Sequence, residues 1–221
     1  MNTNKGFTLI ELMITILVFS VIIAAVYASH ISQQRTYHAQ DQVAEMQQNL
    51  RAAFSLMTSD IRMAGYDPLG TASAGISSAL AGRFHLTTDI DEDGSISGAQ
   101  ENIDFGFSQA NDGDGDGIPD GAPNPVSIGK QNGAGNYQPI ADNIQAVEFL
   151  YLNSAGTATA VNIEIRFIQI TLLARADKSD RAFTNGMTYT TPSGQTWGPY
   201  NDNFRRRMLT KTIRCRNLGI L

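Results

Sequence analysis

Two short stretches of this chain concentrate enough oxygen donors to hold a hard cation. The run Asp89-Ile90-Asp91-Glu92-Asp93-Gly94-Ser95 places carboxylates at its first, third and fifth positions and glycine at its sixth. A tight loop with that spacing turns oxygens inward around one calcium ion while the glycine makes the sharp bend. The carboxylate expected at the twelfth position is displaced, since Gln100 stands there and Glu101 follows one residue later. In the second stretch Asp112, Asp114 and Asp116 alternate with glycine, Ile118 offers its carbonyl, and Asp120 comes at the ninth position. Carboxylates this close repel one another unless an ion neutralises them. The expectation is therefore one or two calcium ions, one at Asp89, Asp91, Asp93, Ser95 and Glu101 and one at Asp112, Asp114, Asp116, Ile118 and Asp120. The competing readings are a solvated acidic turn and a flexible Gly/Asp linker. No catalytic residues are expected: His30, His38 and His85 lack metal-ligand spacing, and no nucleophile stands beside a base. Oxygen-only donors suit structural calcium better than hydrolytic zinc, which weighs against a membrane-anchored metal-dependent enzyme.

One acidic residue outside these two stretches stands where acids are rare. Residues 7–28 read FTLIELMITILVFSVIIAAVYA, with Glu11 as the single ionisable side chain. About 20 apolar residues span a bilayer core, so this run can cross one. It is too long for the core of a secretory signal peptide, and no small-residue cleavage site follows it. Lys5 precedes the run and a long polar segment follows, so the remainder is expected on the periplasmic or outer face. A carboxylate in such a helix costs about 2.5–3.5 kcal/mol on insertion scales and calls for a partner. Cleavage between Gly6 and Phe7 would create an amine in the same apolar region, able to neutralise Glu11 of its own helix or of a neighbouring subunit.

The elements that must carry these residues are legible from periodicity. No Gly or Pro occurs between Gly6 and Gly65, and Val43, Met46, Leu50, Ala53, Phe54, Met57, Ile61 and Ala64 recur at three- and four-residue steps. That is an amphipathic helix, stopped by Gly65 and then Pro68. Residues 71–143 shift to Gly, Ser, Asn, Asp and Ala, with one strand candidate at 102–107. Strands are expected at 144–152, 161–174 and 208–217, the last with Leu209, Ile213 and Cys215 on a buried face, and a turn at 153–159. The expected fold is α+β: a long N-terminal helix, transmembrane in its first half, packed by its second half on an antiparallel sheet. The divisions are a leader at 1–6, a membrane helix at 7–28, an amphipathic helix at 29–65, a Gly/Asp-rich loop region at 66–143 and a sheet at 144–221. The net charge of −5 and the lack of a basic stripe argue against a nucleic-acid partner. Arg205, Arg206 and Arg207 read as a solvated strand entry. Cys215, the single cysteine, excludes an intrachain disulfide and is expected to be buried.

Lys5-Gly6-Phe7-Thr8-Leu9-Ile10-Glu11-Leu12 resembles the leader and cleavage site of type IV prepilins and type II secretion pseudopilins. The resemblance implies the type IV pilin fold, cleavage after Gly6 by prepilin peptidase, methylation of the Phe7 amine, and a docking role for Glu11. It implies a substrate and structural subunit rather than an enzyme. Residence would be in the bacterial inner membrane and then in a pilus filament or tip. The implied partners are major and minor pilins, the inner-membrane assembly platform and a tip adhesin. Three patches are similar to PilW-type minor pilins: residues 60–66, residues 170–175, and residues 205–210 with 214–218. A pseudopilin of type II secretion is the near alternative, and a DNA-uptake pilus subunit is a further one. The second acidic stretch resembles the aspartate-rich calcium repeats of thrombospondin type 3, and the first has the spacing of an EF-hand loop without its two flanking helices.

Overall fold

The structure, a computed structural model, describes residues 6–98, 100–121 and 125–219. The expected leader, apart from Gly6, lies outside the described residues. The chain forms two compact units, Met1–Asp41 and Gln42–Leu221. Helix α1, Leu9–Met63, begins in the first and ends in the second. In the first unit its apolar side chains are exposed on every face, Phe7, Leu9 and Ile10 among them. In the second unit the expected stripe is the buried one: Met46, Leu50, Ala53, Phe54, Met57, Ile61 and Ala64 are enclosed, and Val43 packs at the edge. The helix stops as Gly65 takes the left-handed conformation (φ +77°), and its N–H donates to the Thr87 carbonyl at 3.0 Å.

Among the described residues nine strands follow: β1 (Ile76–Ala79), β2 (Arg83–Thr87), β3 (Asn102–Gly106), β4 (Val126–Asn132), β5 (Gln138–Leu152), β6 (Phe167–Arg175), β7 (Tyr189–Thr190), β8 (Thr196–Trp197) and β9 (Arg206–Arg214). Seven form one antiparallel sheet in the order β1-β2-β3-β4-β5-β6-β9, and β7 pairs with β8 in a separate ribbon. The long helix and antiparallel sheet match the expected α+β architecture. The reading of residues 66–143 as a loop region does not match, because β1 to β4 and the start of β5 lie within them. These strands bury few large apolar residues each, such as Phe84 and Leu86 in β2 and Ile103 and Phe105 in β3. They are too short and polar to stand out, yet they supply much of the core. Phe84 stacks on Phe105 at 5.2 Å and meets Phe149 edge-on at 4.7 Å.

Two further expectations are corrected. The strand expected over 161–174 begins only at Phe167, since β5 and β6 pair from Leu152↔Phe167 and leave 153–166 as their connection. Asn162–Glu164 form a single 3-10 turn there, with Ile163 exposed. On β9, Ile213 is buried and so is Cys215 just beyond it, but Leu209 is partly exposed because β9 is an edge strand paired only with β6. The three arginines are not all solvated either. The Arg206 side chain is fully enclosed; it holds Asp202 through two bonds of 2.6 Å, donates to Gln145 at 2.8 Å and lies 3.9 Å over the Tyr200 ring. It borders a second small core of Ala146, Leu173, Tyr189 and Trp197, with Tyr200 and Met208 at its edge.

Candidate functional site

At the amino terminus Gly6 and Phe7 precede the helix, both exposed. Helix α1 then starts with a capping box, which the sequence reading missed. The Thr8 backbone N–H and hydroxyl donate to Glu11 Oε2 at 2.9 and 2.8 Å, and the Glu11 N–H donates back to Thr8 Oγ1 at 3.4 Å. The signal was available as Thr-x-x-Glu immediately before an apolar run. Glu11 therefore has a local partner, so its cost in an apolar setting is reduced before any cation approaches. From Leu9 onward the helix is long and apolar enough to cross a membrane, and its apolar stretch is exposed among the described residues.

The first acidic loop joins β2 to β3 and is tied to the end of α1. The Asp89 N–H donates to the Tyr66 carbonyl at 2.7 Å, and the Thr88 N–H donates to Glu101 O at 2.8 Å. Asp89, Asp91 and Glu101 each bring a carboxylate oxygen within 4.8 Å of the others. Glu101, although one position late in sequence, is buried and drawn in: Oε1 accepts the N–H of Ile90 (2.9 Å) and Asp91 (3.3 Å), and Oε2 accepts that of Gly98 (2.8 Å). Desolvation pushes the Glu101 carboxyl up, but the Gly98, Asp91 and Ile90 N–H groups together hold it below its ordinary value. Asp91 stands above its ordinary value: the Asp93 N–H pulls it down, but lost hydration and the charges of Asp93, Glu101 and Asp89 outweigh that bond. Asp93 is outside the cluster, its Oδ1 accepting the Ser95 N–H at 2.8 Å, and the Ser95 hydroxyl pairs with that of Ser97.

The second acidic loop follows β3. It brings together Asp112, Asp114 and Asp116 but not Asp120, whose Oδ2 accepts the Gly113 N–H at 2.7 Å. Ile118 donates its N–H to Asp116 Oδ1 at 2.7 Å. Asp112 is buried with both oxygens engaged, by Gly115 N–H at 2.8 Å and Gly117 N–H at 3.1 Å. Burial, more than any neighbour, pushes its carboxyl up.

Comparison with known proteins bears on the amino terminus. Residues 1–27 match the family model of the prokaryotic N-terminal methylation motif. The motif implies processing by prepilin peptidase and pilus assembly, and Phe7, just ahead of the helix, is exposed. Among solved structures the chain is similar to a type IV-like pilin from Thermus thermophilus, at 18% identity and a TM-score of 0.44, over 78% of this chain and 97% of that one. No curated protein sequence matches the chain.

Proposed function

We propose that the protein is a minor-pilin-like assembly subunit of a type IV pilus, cut after Gly6 and methylated on the Phe7 amine. The observation that carries this reading is the methylation motif over residues 1–27, which runs into an apolar helix left uncovered among the described residues. Such a surface in water is costly; a bilayer and then the helices of neighbouring subunits would cover it. The cut would place a cation beside Glu11, whose carboxylate already closes the first helical turn through Thr8. The partners of this reading are prepilin peptidase, other pilins and the inner-membrane platform. Its location is the inner membrane before assembly and the filament or tip afterwards. The PilW-type assignment rests on residues 60–66, 170–175, 205–210 and 214–218. These comprise the end of α1, strand β6, most of β9 and the turn after it.

Mass spectrometry of the protein from sheared filaments tests the proposal. The chain is expected to begin at Phe7 and to carry one added methyl group; an intact Met1 terminus in assembled filaments overturns it. Deletion of the gene is expected to reduce surface pili. Unchanged piliation with lost protein export would instead assign the chain to a type II secretion pseudopilus.

A further inference from the structure

Asp89 is fully buried, and its two oxygens fare differently. Oδ2 accepts the Gly94 N–H at 3.1 Å, whereas Oδ1 is buried with no hydrogen-bond partner. A buried acceptor left unsatisfied gives up its hydration with nothing in return, and the loss is greater when it is charged. Asp91 and Glu101 converge on the same point, each with an oxygen within 4.8 Å. None of the three forms an ion pair among the described residues, so no basic side chain balances the cluster. Three carboxylates, two of them buried, thus lie close together, and one of the buried pair, Asp89, carries an oxygen with no hydrogen-bond partner.

We propose that the loop between β2 and β3 binds one calcium ion, held by Asp89 Oδ1, Asp91 and Glu101. The donor set is all oxygen, which excludes the thiolate and imidazole preferences of zinc, copper and nickel. It lies in an irregular loop, and calcium tolerates the varied geometry that magnesium does not. Glu101 keeps lone pairs for the ion although each of its oxygens accepts backbone N–H groups, because a carboxylate offers about four acceptor sites. Backbone carbonyls and water would complete the shell. The ion would also act at a distance from its ligands. Asp89 N–H holds the Tyr66 carbonyl and Thr87 O holds the Gly65 N–H, so ordering this loop fixes the end of α1 against β2 and β3. The second acidic loop is not included: both oxygens of its buried Asp112 accept backbone N–H groups, so it has no counterpart to the unsatisfied buried oxygen of Asp89 that points to an ion.

The test uses the full-length protein in detergent micelles, stripped with a chelator and titrated with calcium chloride by calorimetry, with melting followed in parallel. The expected result is binding at this loop and a melting temperature that rises with calcium more than with equal magnesium. Asp91→Asn, at an exposed position that needs no repacking, should weaken that binding roughly tenfold or more. Asp89→Asn should do the same, while Asp114→Asn in the other loop should leave it unchanged. Absence of both heat and melting shift at millimolar calcium overturns the proposal. So does binding that survives Asp91→Asn undiminished, or that disappears only with Asp114→Asn. The measurement needs no processing or assembly, so its failure leaves the pilin reading standing, and the reverse holds too.

Discussion

Glu11 reads from the sequence as a carboxylate in want of a cation, and the structure gives it Thr8 first. Its Oε2 gathers the Thr8 N–H and hydroxyl, so the residue that costs most in the apolar run also closes the helix's first turn. Thr8→Ala removes the hydroxyl from both halves of this box and is expected to loosen the turn by about 1 kcal/mol. Amide hydrogen exchange at residues 9–12 in micelles should quicken while exchange further along α1 stays unchanged. Glycine has a comparable role at the first acidic loop. A Cβ at Gly98 would lie 2.4 Å from Glu101 Oε2, which itself accepts the Gly98 N–H at 2.8 Å. Gly98→Ala is therefore expected to push Glu101 out of the cluster. Calcium affinity should fall by roughly tenfold, with melting in chelator changed far less, as read by the same titration.

At the scale of elements, β9 and the connection before it depend on one buried arginine. The enclosed Arg206 side chain bridges Asp202, Gln145 and the Tyr200 ring, joining the segment before β9 to β5. Arg206→Ala strands those partners in a partly buried site and is expected to cost about 3 kcal/mol, measured by denaturant unfolding. The pair also sets an acid limit. The Arg206 hydrogen bonds hold the Asp202 carboxyl below its ordinary value, ahead of the opposing effect of burial. A carboxyl that ionises more readily folded than unfolded stabilises the fold fully above the unfolded pKa of about 3.9, and that contribution is lost as pH falls through the lower folded value. Asp202→Asn should therefore lower stability at neutral pH, and its difference from wild type should shrink below about pH 4.

For the molecule as a whole, the sheet's main core ends at Cys215, buried beside Ile213. Burial pushes the thiol up to about 12, against the opposing pull of Arg166. A thiol so protonated and enclosed reacts slowly, because the thiolate is the nucleophile. Ellman's reagent is expected to leave the folded protein unmodified at pH 8 and to titrate one thiol after denaturation; rapid reaction of the folded form would show Cys215 to be accessible. The same core explains the spread of its contributors. Residues from α1, from β1 to β6 and from β9 all reach it, and Asp60 and Thr58 of the helix receive bonds of 3.1 Å from Lys130 of β4 and Lys211 of β9.

Periodicity and special residues were enough to read much of this protein from its sequence. The apolar run, the stripe from Val43 to Ala64, the stop at Gly65 and the burial of Cys215 all follow from local patterns whose physical cause lies within a few residues. The capping box at Thr8 and Glu11 has an equally local signal, although the sequence reading missed it. What the sequence did not reveal depends on partners far along the chain. Strands β1, β2 and β4 hold too few apolar residues to announce themselves, and they exist because neighbouring strands complete their hydrogen bonds. Arg206 is enclosed because a distant glutamine and a tyrosine ring close around it. Glu101 joins Asp89 and Asp91 because the loop folds back at Gly98, and Asp89 keeps an unpartnered oxygen because Tyr66 fixes its backbone from the end of the helix. Residue order along the chain sets local conformation; convergence of remote groups on one point is decided only by packing.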